Sequence, residues 1–249
     1  MASHVWSCKL PAFVFASGND AHYGTTESLV ESAACDDSRR PAFCTNYRQV
    51  YTDRPAMPLP VDFFEPEPPT SITTTRLSLA QFTANDAESL HAAARASVKE
   101  VYPWLPWCHP NYSLTDSEDW IATCGSLWSA DSAWAFAIRE RQQGQLVGSC
   151  GLHRIDEHHN ANLGFWIATP ATGRGYASEA ALALAAYGIR YLQLMRIEII
   201  MSTRNHASEK VAINLGAHHE GIARNRLMLH DQPHHAHVYA LTPEDLLLP

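Results

Sequence analysis

No apolar run in the sequence approaches the ~18 residues that a helix needs to span a bilayer, so no membrane association is expected. The early apolar stretch, in MASHVWSCKLPAFVFASG, is short and broken at Pro11, which argues against a secretory leader. Positive charge is scarce: 18 Lys and Arg stand against 26 Asp and Glu, for a formal net charge of -8. A general nucleic-acid binder needs a basic surface to displace counterions, so no nucleic-acid partner is expected. The six cysteines (Cys8, Cys35, Cys44, Cys108, Cys124 and Cys150) show no close C-x-x-C pairing, the pattern of reduced thiols in a cytoplasmic protein. Histidines cluster in DEHHN (156–160) and HDQPHHAH (230–237), but no spacing matches a zinc template. They are expected to be solvated loop residues, and no metal is expected.

What is present is enough apolar content for a core: 46% of 249 residues, one large domain or one domain with a tail. The tail is residues 1–70. Its stretch DRPAMPLPVDFFEPEPPTS has six prolines and four acidic residues with no sustained period. Proline fixes φ and donates no ladder hydrogen bond, so this reads as extended, disordered material.

From Thr74 the pattern becomes regular, and residues 74–243 read as the domain. Residues 74–82 alternate like a strand. Residues 84–101 open on a cap candidate, Asn85 or Asp86, and read as one helix. Three strands are expected at 133–140, 145–155 and 161–168, the first two joined by a turn at Gln143 and Gly144. Residues 177–194 form a helix with Ala181, Leu184, Ala185, Gly188, Tyr191 and Leu192 on one face. A short β-branched strand (196–202), a helix (206–216) ending at Gly216, and a last strand (237–242) complete the order.

The stretch TPATGRGYASEA, 169–180, joins a strand to a helix and places Gly173 and Gly175 around Arg174. At a helix N-terminus, unpaired N–H groups and the dipole favour an anion, and glycine permits close approach and positive φ. A diphosphate fits; a plain strand-to-helix turn is the alternative.

TGRGYASEA resembles the Q/R-x-x-G-x-G/A motif of the GCN5-related N-acetyltransferases, with Gly175 and Ala177 in matching positions. NHASEKVAINLGA resembles the family's N-x-x-S-x-x-V-x-x-x-L-G segment through Asn205, Ser208, Val211, Leu215 and Gly216. YPWLPW with SLTDSEDWI, and GLHRID before ANLGFWI, resemble the branch of ribosomal-protein alanine and serine N-acetyltransferases. Thr172 departs from the family's Gln or Arg, and His153 from an Asn frequent in that branch.

The resemblance implies an α/β (α+β) fold, a mixed and mostly antiparallel sheet whose splayed parallel strands bind acyl-CoA. It implies acetyl transfer from acetyl-CoA to an amine, most simply a protein N-terminal α-amine. Acylation of a small-molecule amine and a non-catalytic acyl-CoA-binding module are the alternatives. Amides from Thr172 through Gly173, Arg174, Gly175, Tyr176 and Ala177 would meet the pyrophosphate. Backbone groups of Phe165, Trp166 and Ile167, with the Asn205 carboxamide, would hold the pantetheine arm. Ser208 would face the departing thiolate, with Tyr239 as another donor. Asn205 also suits a helix cap and Ser208 an early-turn polar position. Trp104 and Trp107 are candidates for the acceptor pocket, or for capping the core. His153, Asp156 and Glu157 are candidate bases. A monomer or homodimer fits equally.

Little folding free energy should reside in the proline-rich tail. A chain beginning at Pro69 is expected to fold and bind acetyl-CoA like the full chain. A large fall in melting temperature on truncation would show that the tail packs on the domain.

Overall fold

The computed structural model describes residues 68–246; the expectation for the N-terminal tail falls almost wholly on 1–67, outside the described residues. Strands β1 (Ser71–Thr73) and β2 (Leu77–Gln81) precede three helices: α1 (Ala87–Arg95), α2 (Val98–Val101) and α3 (Leu114–Ser129). A meander follows, of β3 (Ala133–Glu140), β4 (Leu146–Arg154) and β5 (Asn160–Ile167). Then come α4 (Tyr176–Tyr191), β6 (Arg196–Ser202), α5 (His206–Asn214) and the hairpin of β7 (His218–Leu229) and β8 (Gln232–Leu241). The strands form one sheet of eight in the order β1-β2-β3-β4-β5-β6-β8-β7. Every neighbouring pair is antiparallel except β5 with β6. This is the mixed, mostly antiparallel sheet that the sequence implies.

Strand alternation sends side chains to two cores. Cys150, Leu152, Leu163, Ile197, Ile199 and Met201 pack under α4 and α5. Ala135, Ala137 and Trp166 pack under α1 and α3 with Leu90, Ala94 and Ile121. The small residues of α4 let it approach the sheet closely. A Cβ at Gly188 would lie 2.7 Å from Leu152 Cδ1 and 2.9 Å from Leu194 Cδ1.

Three elements differ from the sequence reading. The helix expected over 84–101 is broken at Ser97, whose hydroxyl donates to the Ala93 carbonyl (2.7 Å) and accepts from Thr169 N–H (2.9 Å). A polar side chain that competes for backbone groups ends the helix and ties it to the loop after β5. β7 is long, but its register shifts between His219 and Gly221 and between Ala223 and Leu227, which erases a period-two pattern. β8 begins at Gln232, so His234, His235 and His237 belong to a strand rather than a loop. Among the described residues, no helix is long and apolar enough to cross a membrane.

Gly188 fixes the distance between α4 and the sheet. Gly188→Val should overpack this contact and cost about 1–3 kcal/mol. Chemical denaturation checks it, and an unchanged midpoint would show that the neighbouring leucines yield freely.

Candidate active site

β5 and β6 pair only at Asn160–Arg196, Ala161–Ile197 and Asn162–Glu198. Beyond that, β5 stays with β4 as far as Ile167, and β6 stays with β8 as far as Ser202. The inner edges, Leu163 to Ile167 and Ile199 to Ser202, diverge. Between them opens a cleft of about 600 Å³. A register irregularity in the β3–β4 ladder, beside Gly148 and Leu146, lies next to the departing half of β5. Such bulges bend strands and increase their twist.

Two helices begin at the open end. β5 runs through Thr172–Gly175 into α4, and β6 runs through Asn205 into α5. Gly173 (φ 76°) and Gly175 (φ 78°) are both left-handed, and Gly175 is the N-cap of α4. The Cβ site of Gly173 is open, so conformation rather than crowding within the chain demands glycine there. The first N–H groups of α4 have no carbonyl one turn back, and the dipole adds positive potential. Thr172 turns its hydroxyl onto the Thr169 carbonyl (2.8 Å), and the Arg174 guanidinium reaches toward the Pro170 carbonyl (3.4 Å). Tyr176 offers only its backbone here, because its buried ring is fixed by a hydroxyl bond to Glu140 (2.8 Å). Ala177 is half-buried beside the α4 core.

Arg76, 98 residues upstream, pins this turn. Its Nη1 donates to the Arg174 carbonyl (2.8 Å), and its Nε donates to Glu179 (2.6 Å). In a planar trans peptide the C=O and N–H point oppositely, so the Gly175 N–H faces away from Arg76. Partial burial pushes the Glu179 carboxyl up, but hydrogen bonds from Thr74 and Arg76 outweigh this and hold it below its ordinary value. No local pattern in the sequence marks Arg76; it acts through a contact made only on folding.

On the other side, Asn205 caps α5 through Oδ1, which accepts from Ser208 N–H (3.2 Å). The cap leaves the Nδ2 amide available. Ser208 is half-buried and lines the cleft, and its hydroxyl has no hydrogen-bond partner among the described residues. Phe165, Trp166 and Ile167 lie on the open edge of β5. The residues fit an acyl-CoA: an anion-favouring turn, a free strand edge for an amide-rich arm, and polar groups at its end.

The remaining candidates divide between the cleft and other places. Trp104 lines the cleft. Trp107 does not; it packs edge-on against Trp166 (5.4 Å) and Tyr112 (5.5 Å), a core position. His153 is on β4 outside the cleft lining, and partial burial lowers its pKa. Asp156 holds its own turn, accepting from Asn160 Nδ2 (2.9 Å) and His158 N–H (2.9 Å), and the Asn160 bond foremost keeps its pKa low. Tyr239 turns toward Glu209 (3.4 Å). Leu227 and Leu229, absent from the sequence reading, reach the cleft from the β7–β8 hairpin. Their strand lacks a readable period. Burial pushes the Cys108 thiol up to about 11 and Cys124 to about 12, and Cys150 higher still, so none supplies a thiolate. No group of three or more His, Cys, Asp or Glu suited to a metal occurs among the described residues.

A sheet parted between parallel strands, with two helix N-termini at its open end, fits an acyl-CoA, and the family match makes the chain an acyl-CoA-dependent transferase. Residues 76–218 match the acetyltransferase (GNAT) domain model, and the chain belongs to that family of N-acetyltransferases. The uncharacterized N-acetyltransferase YoaA of Bacillus subtilis is 28% identical over 171 residues, covering 68% of this chain and 95% of its own. The ribosomal-protein-serine acetyltransferase of Escherichia coli is 24% identical over 168 residues, covering 63% and 93%. The fold is shared with Mycobacterium smegmatis RimJ in complex with CoA-disulfide (TM-score 0.63, 21% identity, covering 69% and 84%).

A side chain at Gly175 must adopt a left-handed φ that is strained for a β-branched residue. Gly175→Val is expected to weaken acetyl-CoA binding at least ~10-fold, about 1.4 kcal/mol, by calorimetry on folded protein. Unchanged affinity would move the donor site elsewhere.

Proposed function

We propose that this protein transfers the acetyl group of acetyl-CoA to a protein N-terminal α-amine in the cytoplasm, through the domain spanning residues 74–243. The observation that carries the reading is the pairing of Asn205 and Ser208 at the open end of the parted strands. The donor supplies an activated acetyl thioester. The amides of Gly173 to Ala177 hold its diphosphate, and the inner edge of β5 pairs with its arm. Asn205 Nδ2 orients the arm near the thioester. The Ser208 hydroxyl, free of other duties, donates to the sulfur as negative charge develops there.

The nature of the cleft supports the choice of acceptor. Among its described lining residues Glu100 is the only carboxylate, and it already accepts from Thr169 Oγ1 (3.1 Å). An α-amine with a pKa near ~7.7–8 needs little help to shed a proton, whereas a lysine near ~10.4 needs much. Trp104, Leu105, Leu227 and Leu229 give the acceptor side an apolar wall. The name of the Escherichia coli relative likewise gives a protein, rather than a small amine, as what that relative acts on.

Ser208→Ala is expected to lower turnover roughly 10- to 1,000-fold. The acetyl-CoA dissociation constant should change less than about threefold, under 1 kcal/mol. A purely structural role predicts lower melting temperature with full turnover per folded molecule. Free-thiol release across peptides, polyamines and aminoglycosides separates the acceptor classes. Release with small amines alone would reassign the substrate, and no release with any amine would leave a binding module.

A further inference from the structure

Ser202 is the last residue of β6 and is 3% exposed, and it lines the cleft. Its neighbour Met201 belongs to the α4–α5 core, so strand alternation sends Ser202 to the opposite face of the sheet, the face of α1–α3. There its Oγ lies 2.9 Å from His234 Nδ1 and accepts from the Arg204 N–H (3.3 Å). His234 stands on β8 across from Leu227, a residue of the cleft wall, and is half-buried. The parted strands thus carry a hydroxyl on each side: Ser208 from α5, and Ser202 from the end of β6 on the face opposite the α4–α5 core.

We propose that Ser202 and His234 form a relay that takes the proton from the acceptor amine. This rests on the acetyl-transfer reading. In this relay the Arg204 amide takes one lone pair of Oγ and the acceptor amine the other, while the Ser202 proton points at Nδ1, so the relay requires the His234 tautomer with its hydrogen on Nε2. As the amine nitrogen bonds the acetyl carbon and the carbon–sulfur bond breaks, the amine N–H donates to Ser202 Oγ. The Ser202 proton passes to His234 Nδ1. The sulfur leaves with its electron pair and takes a proton from Ser208, which regains one from solvent. His234, partly exposed, returns its proton to solvent. Atoms and charges balance without another reactant. Ser202 touches the substrate; His234 acts through it. The arrangement also accounts for the poverty of the cleft in free carboxylates, because the base stands one hydroxyl behind its wall.

Two measurements on the full-length protein test this. The first needs no ligand and no turnover: ¹⁵N spectra of the imidazoles near neutral pH, with His234 assigned through His234→Gln. The neutral ring should have an unprotonated Nδ1, and Ser202→Ala should shift that nitrogen's resonance. A proton on Nδ1 overturns the relay. The second compares Ser202→Ala, His234→Gln and the double variant on whichever amine the wild-type protein acetylates, so failure of the N-terminal reading leaves it intact. Each single change should lower kcat about 10- to 100-fold with acetyl-CoA affinity within about threefold. The double variant should be no more than about threefold worse than the poorer single, because groups acting as a unit are non-additive. Singles within twofold of wild type, or losses that multiply in the double variant, would overturn the proposal.

Discussion

The parting of β5 from β6 is the constraint on which the rest of this molecule depends. Backbone N–H and C=O groups in a sheet interior are normally paired, and leaving them unpaired is costly. Here two parallel strands hold each other at three positions and then separate, each kept in place by its outer neighbour. The result is an unpaired edge inside the sheet, at the carboxyl ends of parallel strands. Ligands of open α/β sheets collect at such places for the same geometric reason. Both helices that follow these strands start at the opening, so two dipoles and two sets of unpaired amides converge there.

Charge follows the same plan. The chain as a whole has a formal net charge of -8. Around the opening, however, stand Arg76 and Arg174 at the glycine turn and Lys210 on the wall. The Arg76 guanidinium is partly compensated by Glu179, and its role is as much mechanical as electrostatic: it fixes which way the turn's peptides point. Cationic groups at this opening suit an anionic donor.

The sequence was most readable where a feature is local. The glycine turn, the α4 face, the cap at Asn205 and the existence of strand β6 follow from spacing and residue type within a few positions of each other, whereas the parallel strand pair was implied by the family resemblance alone. It was least readable where contacts are remote or register is irregular. Arg76 shows nothing locally and is joined to its turn by folding alone. The histidines of 230–237 looked like loop residues because β7 and β8 are polar and bulged; the ladder, not the composition, places His234 behind Ser202. For Trp107 the sequence left pocket and core equally open, because only folding brings the rings of Trp166 and Tyr112 against it.

Hydrogen exchange with and without acetyl-CoA tests the account most directly, because it reads the backbone groups that the parted strands leave open. The account predicts slower exchange on binding at Leu163 to Ile167 and at Gly173 to Ala177, with little change on β1 to β3. Binding that leaves both segments unprotected while slowing exchange elsewhere would contradict it.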